Sequence, residues 1–284
     1  VLPDPPDKLL RTLRTFNEFV TDWLAQQKPV PLLDAVRDYF FACLTFVKIG
    51  ALYDGSYQTR FVLDGHHLTI KALCLAPSAF LNRTLELGSG AVLFSATLTP
   101  MAYYQRVLGG EANSLAYQLP SPFPPKHQAI LVTQYVQTTY HEREHNVPRI
   151  IASLHAMLTA KHGNYLVFFP SYGYLLQIKT AFEAAYPDVA TTAQASTMDA
   201  TARQTFLNQF QSAPSQTLLG FCVLGGIFSE GIDLRGDRLI GVAIVSVGLP
   251  GINPEANLIR DYYDHQSGLG FAYAYQLPGM NNVL

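Results

Sequence analysis

The spacing of apolar residues changes period twice along this chain. Over residues 7–27, Leu9, Leu10, Leu13, Phe16, Val20, Trp23 and Leu24 recur at the spacing of one helix face. Lys28-Pro29-Val30-Pro31 ends that pattern, because proline cannot serve an interior helical turn. Val36, Phe40, Leu44 and Val47 predict a second helix over 32–48, and so a helical hairpin. Around 60–75 the period shortens to that of strands: RFVLDGHHLTIKALCL holds two β-like runs about Asp64-Gly65, a hairpin signal. His66 and His67 sit at its turn, and adjacent residues of a strand face opposite ways, which argues against a shared metal ion. Residues 78–87 read as helix. AVLFSATLTP (91–100) reads as an apolar strand ending in Ser95-Ala96-Thr97-Leu98, with hydroxyls placed to cap a helix over 99–108.

Residues 109–128 are rich in Gly, Pro, Ser and Asn and mark a domain boundary, dividing the chain into 1–109 and 110–284. Beyond it strand and helix signals alternate in the α/β manner. AILVTQYV is a strand, and PRIIASLHAMLTAK is a helix with Pro148 near its first turn. NYLVFFPSY is a buried strand followed by the helix GYLLQIKTAFEAAY. VATTAQ is a short strand ending at Gln194, and TARQTFLNQFQ is a helix whose lone Arg203 reads as a solvated charge, with DNA contact as the other reading.

The chain's organising stretch is 217–251. Leu218, Leu219, Phe221 and Val223 form a strand that runs into Gly225-Gly226. The polar loop Ser229-Glu230-Gly231-Ile232-Asp233-Leu234 follows, and then a second apolar run from Leu239 to Val247. Two strands buried on both faces and joined by a Gly-rich polar loop are how an open parallel sheet presents a ligand-binding edge. A carboxylate of Glu230 or Asp233 there can accept from a ribose hydroxyl or hold a cationic side chain, and Ser229 and the glycine amides can meet a phosphate. A capped turn with solvated acids is the other reading. Ser171 and Tyr172 lie at a helix start, where free amides favour a phosphate and the tyrosine ring offers a base a stacking face. Here too a bare N-cap with a packed ring remains open.

Composition narrows the field. With 284 residues, 49% hydrophobic and 14% charged, the chain buries a sizeable core. A net charge of −2 supplies no bulk attraction to nucleic acid, so any such binding depends on a local groove. No apolar run reaches the roughly 18 residues of a membrane span, so no membrane partner is expected. Cys43, Cys74 and Cys222 are far apart in apolar runs, a pattern of reduced core thiols of a cytosolic protein, and of neither a disulfide framework nor a metal site. The start VLPDPPDKLL carries neither Met nor a signal-peptide h-region, as expected of a piece of a longer protein.

Together these segments resemble the XPD/DinG-type superfamily 2 DNA helicases. SATLTP is similar to their motif III, NYLVFFPSYGYLLQI to motif IV, and the 217–251 stretch to motif V. Leu249-Pro250, Asn253-Pro254, Tyr262-Tyr263, Tyr275 and Pro278 continue in the family's order, so the likeness runs over about 61–284. It implies an α/β fold: a RecA-like parallel sheet flanked by helices (helicase domain 2), preceded by an arch-like helical hairpin and end strands of helicase domain 1. It implies nucleotide-binding and coupling roles for Ser229, Glu230, Gly231 and Asp233. Nucleic-acid contact or coupling is implied for Ser95, Thr97, Ser171, Tyr172, Gln194, Gly225 and Gly226.

The family pattern is incomplete here. The chain has no G-x-x-x-x-G-K-[ST] phosphate loop, no D-E-A-H-like box and no four-cysteine iron–sulfur site, and it reaches Asn281-Asn282-Val283-Leu284 about where motif VI is expected. The resemblance therefore implies the rear half of a cytoplasmic, nucleoid-associated DNA-repair helicase working 5′ to 3′. Its parent would use ATP and Mg²⁺, and its partners would be single-stranded DNA and a missing N-terminal helicase domain. The catalytic set is incomplete in this chain, and the chain alone is expected to be inactive. A RecA-like interaction module without catalysis is the alternative. A dinucleotide enzyme is a third reading, against which stands the lack of G-x-G-x-x-G after a strand.

Overall fold

The computed structural model describes residues 1–26, 33–110 and 114–283. They form two compact units, one of Val1–Gln118 with Asp261–Gly268 and one of Leu119–Arg260 with Leu269–Leu284. The proline break at 28–31 and residues 111–113 of the Gly-rich stretch lie outside the described residues.

In the first unit, α1 (Asp7–Ala25) and α2 (Leu33–Gly50) make the expected hairpin. Their apolar faces bury Leu10, Val20, Phe40 and Cys43, and Phe16 meets Tyr39 edge-on at 5.5 Å. β1 (Tyr57–Asp64) pairs antiparallel with β2 (His67–Cys74), Asp64 opposite His67, with Gly65 at φ +56° in the turn. Among the described residues no cluster of His, Cys, Asp and Glu gathers to hold a metal ion. Two short helices follow, α3 (Ser78–Leu85) and α4 (Met101–Val107).

Residues 91–96, expected as a strand, form none. Val92, Leu93 and Phe94 are exposed, and neither described sheet offers them a ladder. A strand of a parallel sheet has no partner adjacent in sequence, so an apolar run alone does not make one. The run at 129–136 departs from expectation for the same reason. Its first residues are exposed, while its end is tied to the next helix: the Arg149 guanidinium donates to the Tyr135 carbonyl at 3.0 Å and Val136 packs on the core.

The second unit alternates α5 (Arg143–Ala160), β3 (Asn164–Phe169), α6 (Tyr172–Ala185), β4 (Ala190–Ala193), α7 (Ala200–Asn208), β5 (Leu218–Val223) and β6 (Gly241–Ile244). α5 starts five residues before Pro148, because Asn146, itself buried, folds its carboxamide back to the Glu142 carbonyl at 2.9 Å and holds the first turn ahead of the proline. The strands lie parallel in the order β4-β5-β3-β6. Successive side chains of β3 serve opposite faces. Tyr165, Val167 and Phe169 join Leu154, Leu175 and Phe182 of α5 and α6, while Leu166 and Phe168 join Phe206 and Phe210 on and just beyond α7. The sheet is thus the expected RecA-like layer with helices on both faces. The two edge strands are less completely covered: β4 is half-buried throughout, and on β6 Val242 and Ile244 stand half exposed. α8 (Pro254–Ser267), a π-helical segment Ala272–Gln276 and α9 (Leu277–Asn281) complete the chain.

Burial has a chemical consequence on β5, where loss of solvent pushes the Cys222 thiol up to about 12. The thiolate is the reactive form, so in the native protein Cys222 should resist iodoacetamide at pH 8 and react once urea unfolds the chain. Rapid native labelling at Cys222, read by peptide mass spectrometry, contradicts this. Phe221, fully buried between Phe169 and Phe182, should cost about 3–5 kcal/mol when cut to alanine, measured by urea denaturation.

Candidate functional site

The carboxyl ends of β3, β4 and β5 open on one edge of the sheet, and the helices that follow β3 and β4 belong to opposite faces. That divergence leaves a crevice at the strand ends, the usual ligand position of an open parallel sheet. Into it come Ser171-Tyr172 after β3, Gln194 after β4 and Gly225-Gly226 after β5.

Gln194 joins them. Its side chain is only 4% exposed, and all of its polar atoms have work. The amide nitrogen donates to the Tyr172 hydroxyl at 2.7 Å, and the oxygen accepts from the Val223 backbone amide at 3.1 Å. The Tyr172 hydroxyl in turn donates to the Ala195 carbonyl at 3.2 Å, so the ring is held at the crevice wall. Gly226 lies against this carboxamide. A Cβ built there would stand 2.8 Å from the Gln194 nitrogen and 2.9 Å from the Val223 carbonyl oxygen, closer than real side chains come. The close approach, rather than loop flexibility, requires glycine at this position.

Ser171 caps α6, its hydroxyl accepting from the Tyr174 amide at 3.4 Å. The loop after β5 is braced from inside. Gly226 donates to the Val223 carbonyl at 3.0 Å, the Ser229 amide donates to the Gly226 carbonyl at 3.0 Å, and the Ser229 hydroxyl donates to the Val223 carbonyl at 3.1 Å. Gly225 and Gly231 both sit at φ +68°. Glu230 and Asp233 are exposed; Asp233 accepts from Arg235 at 2.7 Å in a solvent-facing ion pair worth little to stability. The acids therefore remain accessible to a ligand.

Ser95 and Thr97 belong to the first unit. There the Ser95 hydroxyl accepts from the Thr97 amide at 3.3 Å, and α4 has Pro100 as its N-cap, so neither hydroxyl caps that helix. In the second unit the structure gathers Ser171, Tyr172, Gln194, Gly225, Gly226 and Ser229 at one edge, with Glu230, Gly231 and Asp233 on the loop that leads away from it.

Two further residues, Arg203 and Asn282, hold this edge, and a third, Arg238, braces the opposite end of the sheet. Arg203 reads as a solvated cation on its helix, yet its guanidinium lies 5.9 Å from the Phe228 ring centre and donates to the Gly231 carbonyl at 3.4 Å. Arg238 ties the end of α7 to the strand entry, donating to Phe210 and Leu207 carbonyls at 2.9 and 3.2 Å. Asn282 donates to the Gly248 carbonyl at 3.3 Å and stands beside Gly225. A basic residue following a Gly-rich loop was the available signal for Arg238; Asn282 carries none.

Residues 154–284 match a family model described as the helicase C-terminal domain. Among solved structures, an apo XPD chain is similar over 89% of this chain and 51% of its own, with a TM-score of 0.58 and 18% identity. An XPD helicase chain is similar over 96% of this chain and 47% of its own, with a TM-score of 0.59 and 19% identity. This chain thus spans about half the length of the structures it matches.

Two substitutions test the hub. Gln194→Ala leaves the half-buried Val223 amide without its partner and should lower stability by about 1–3 kcal/mol in urea denaturation. Gly226→Ala should be destabilising as well, because the backbone oxygen of Val223 cannot move away from the new methyl without breaking the turn it closes. A Gly226→Ala variant as stable as the parent shows that the packing is looser than described.

Proposed function

We propose, from the match of residues 154–284 to a helicase C-terminal domain model and the likeness of the fold to XPD chains, that this chain is the rear motor half of an ATP-dependent DNA helicase. The observation that carries the reading is the crevice at the ends of β3, β4 and β5, where Tyr172, Gln194 and the Gly225-Gly226 turn are locked together by hydrogen bonds. Movement of the loop after β5 is thereby transmitted to the wall at Tyr172, as coupling between a nucleotide and a strand requires.

In this reading Ser171, Tyr172, Gln194, Gly225 and Gly226 meet single-stranded DNA, and the motif resemblance gives Ser95 and Thr97 of the first unit a coupling role of their own. Ser229, Glu230, Gly231 and Asp233 respond to ATP bound by a second motor domain of the longer protein. Among the described residues no carboxylate cluster gathers for Mg²⁺, so no step is assigned to a metal held by this chain. When present, ATP supplies the free energy, and this chain's residues position, close and transmit. Unwinding from 5′ to 3′, a place in DNA repair and a cytoplasmic, nucleoid-associated setting belong to the same proposal. They rest on the motif resemblance alone.

A second reading, a RecA-like interaction module without catalysis, draws on the exposed apolar run Ile130-Leu131-Val132, which suits a protein partner. The two separate in solution. As a motor half, the chain alone should not hydrolyse ATP, because phosphoryl transfer needs a phosphate cradle, metal ligands and a charge-stabilising arginine. It should bind single-stranded DNA weakly, with affinity falling as salt rises. In the longer protein Asp233→Ala should leave the thermal melt unchanged, since its side chain is solvent-exposed, and should sharply lower DNA-stimulated ATPase. Turnover by residues 1–284 alone contradicts the motor-half assignment. Full DNA-stimulated ATPase in the Asp233→Ala protein returns the carboxylate to a solvated loop acid.

A further inference from the structure

The crevice has an inner cleft of about 530 Å³, lined by Tyr172, Gln194, Ser196, Thr197, Met198 and Ile227. That volume falls within the range of small-ligand sites, about 300–1,000 Å³. We infer that this cleft takes a single unpaired nucleobase of a DNA strand, base inward and phosphate outward. The inference rests on the nucleic-acid reading above and names what the strand places there.

The charges decide the orientation. Asp199 is itself part of the cleft lining, and its carboxylate already accepts from the Ala202 amide at 2.7 Å, capping α7. The helix end that would draw a phosphate is thus satisfied by an anion, and a second anion beside it is repelled. No lysine, arginine or histidine lines the cleft. Apart from that carboxylate, its lining is apolar (Met198, Ile227) and neutral polar. Such a lining matches the flat faces and polar edge of a base, and it matches a phosphate poorly.

The hydrogen-bonding capacity decides the selectivity. Gln194 spends its oxygen on Val223 and a proton on Tyr172, and the Tyr172 hydroxyl is committed to Ala195, so neither reads a base edge freely. These commitments also hold the wall rigid before anything binds, which reduces the ordering cost on association. The groups left over are the Ser196 and Thr197 hydroxyls, both solvent-facing. A hydroxyl rotates to donate or accept, so the pair can satisfy any of the four bases. The cleft therefore binds a base without choosing which, as a translocating enzyme requires.

The test is fluorescence anisotropy of the full chain at low salt with two labelled single strands of equal length and charge, one natural and one wholly abasic. The natural strand should bind about tenfold more tightly, the scale of one base–protein stack. Filling the cleft with Ser196→Leu/Thr197→Leu should abolish that gap while the slope of affinity against salt stays as in the parent, because phosphate contacts are untouched. Both positions are exposed, and a thermal melt confirms folding. Equal binding of the two strands, or a gap that survives the filled cleft, overturns the base-inward cleft and leaves the nucleic-acid reading standing. Failure to bind either strand removes the nucleic-acid reading and this inference with it.

Discussion

Parallel strands must be covered on both faces, and that requirement organises the second unit. β3 and β5 are buried along almost their whole length, and their alternating side chains feed two separate apolar clusters. One cluster needs α5 and α6, and the other needs α7. Each crossover helix must therefore leave its strand toward a different face, and the gap between the departing chains is the crevice. The position of the site follows from how the core is covered. Burying large aromatics such as Phe169, Phe182 and Phe221 stabilises by about 1.5–3 kcal/mol each, and so sustains a polar edge that contributes little of its own.

At that edge one carboxamide joins three strand ends. Buried polar groups cost free energy unless paired, and Gln194 meets that condition by bonding Tyr172 and the Val223 amide together. The consequence is mechanical as much as energetic. The turn at Gly226 packs directly on the same carboxamide, so the loop after β5 and the tyrosine wall share a rigid joint. Arg203 reaches the loop from α7 through its contacts with Phe228 and Gly231, which makes the loop a braced element with its acids turned outward. The cleft beside it carries no basic side chain and borders an anionic helix cap, a surface that on the proposed reading would meet a strand's bases rather than its phosphates.

Much of this was legible in the residues themselves. The period-3.6 faces of 7–27 and 32–48, the Asp64-Gly65 turn and the unbroken apolar runs NYLVFF and LLGFCV determine helices, hairpin and buried strands, because each signal is local and repeats along a few residues. The motif order placed Ser171, Tyr172, Gln194, Gly225 and Gly226 as candidates, and the fold brings those five to one edge. Tertiary structure alone decided the rest. The runs at 91–96 and 129–136 read as strands, yet a parallel strand exists only where a distant neighbour supplies its ladder, and none of the described strands does. β6 reads as buried on both faces, but its place at the sheet edge leaves Val242 and Ile244 half exposed. Arg203 reads as solvated, since nothing in its helix announces Phe228 and the Gly231 carbonyl some 25 residues on. Period and composition report what a segment can bury, whereas its partner is set by long-range packing that no short window of sequence contains.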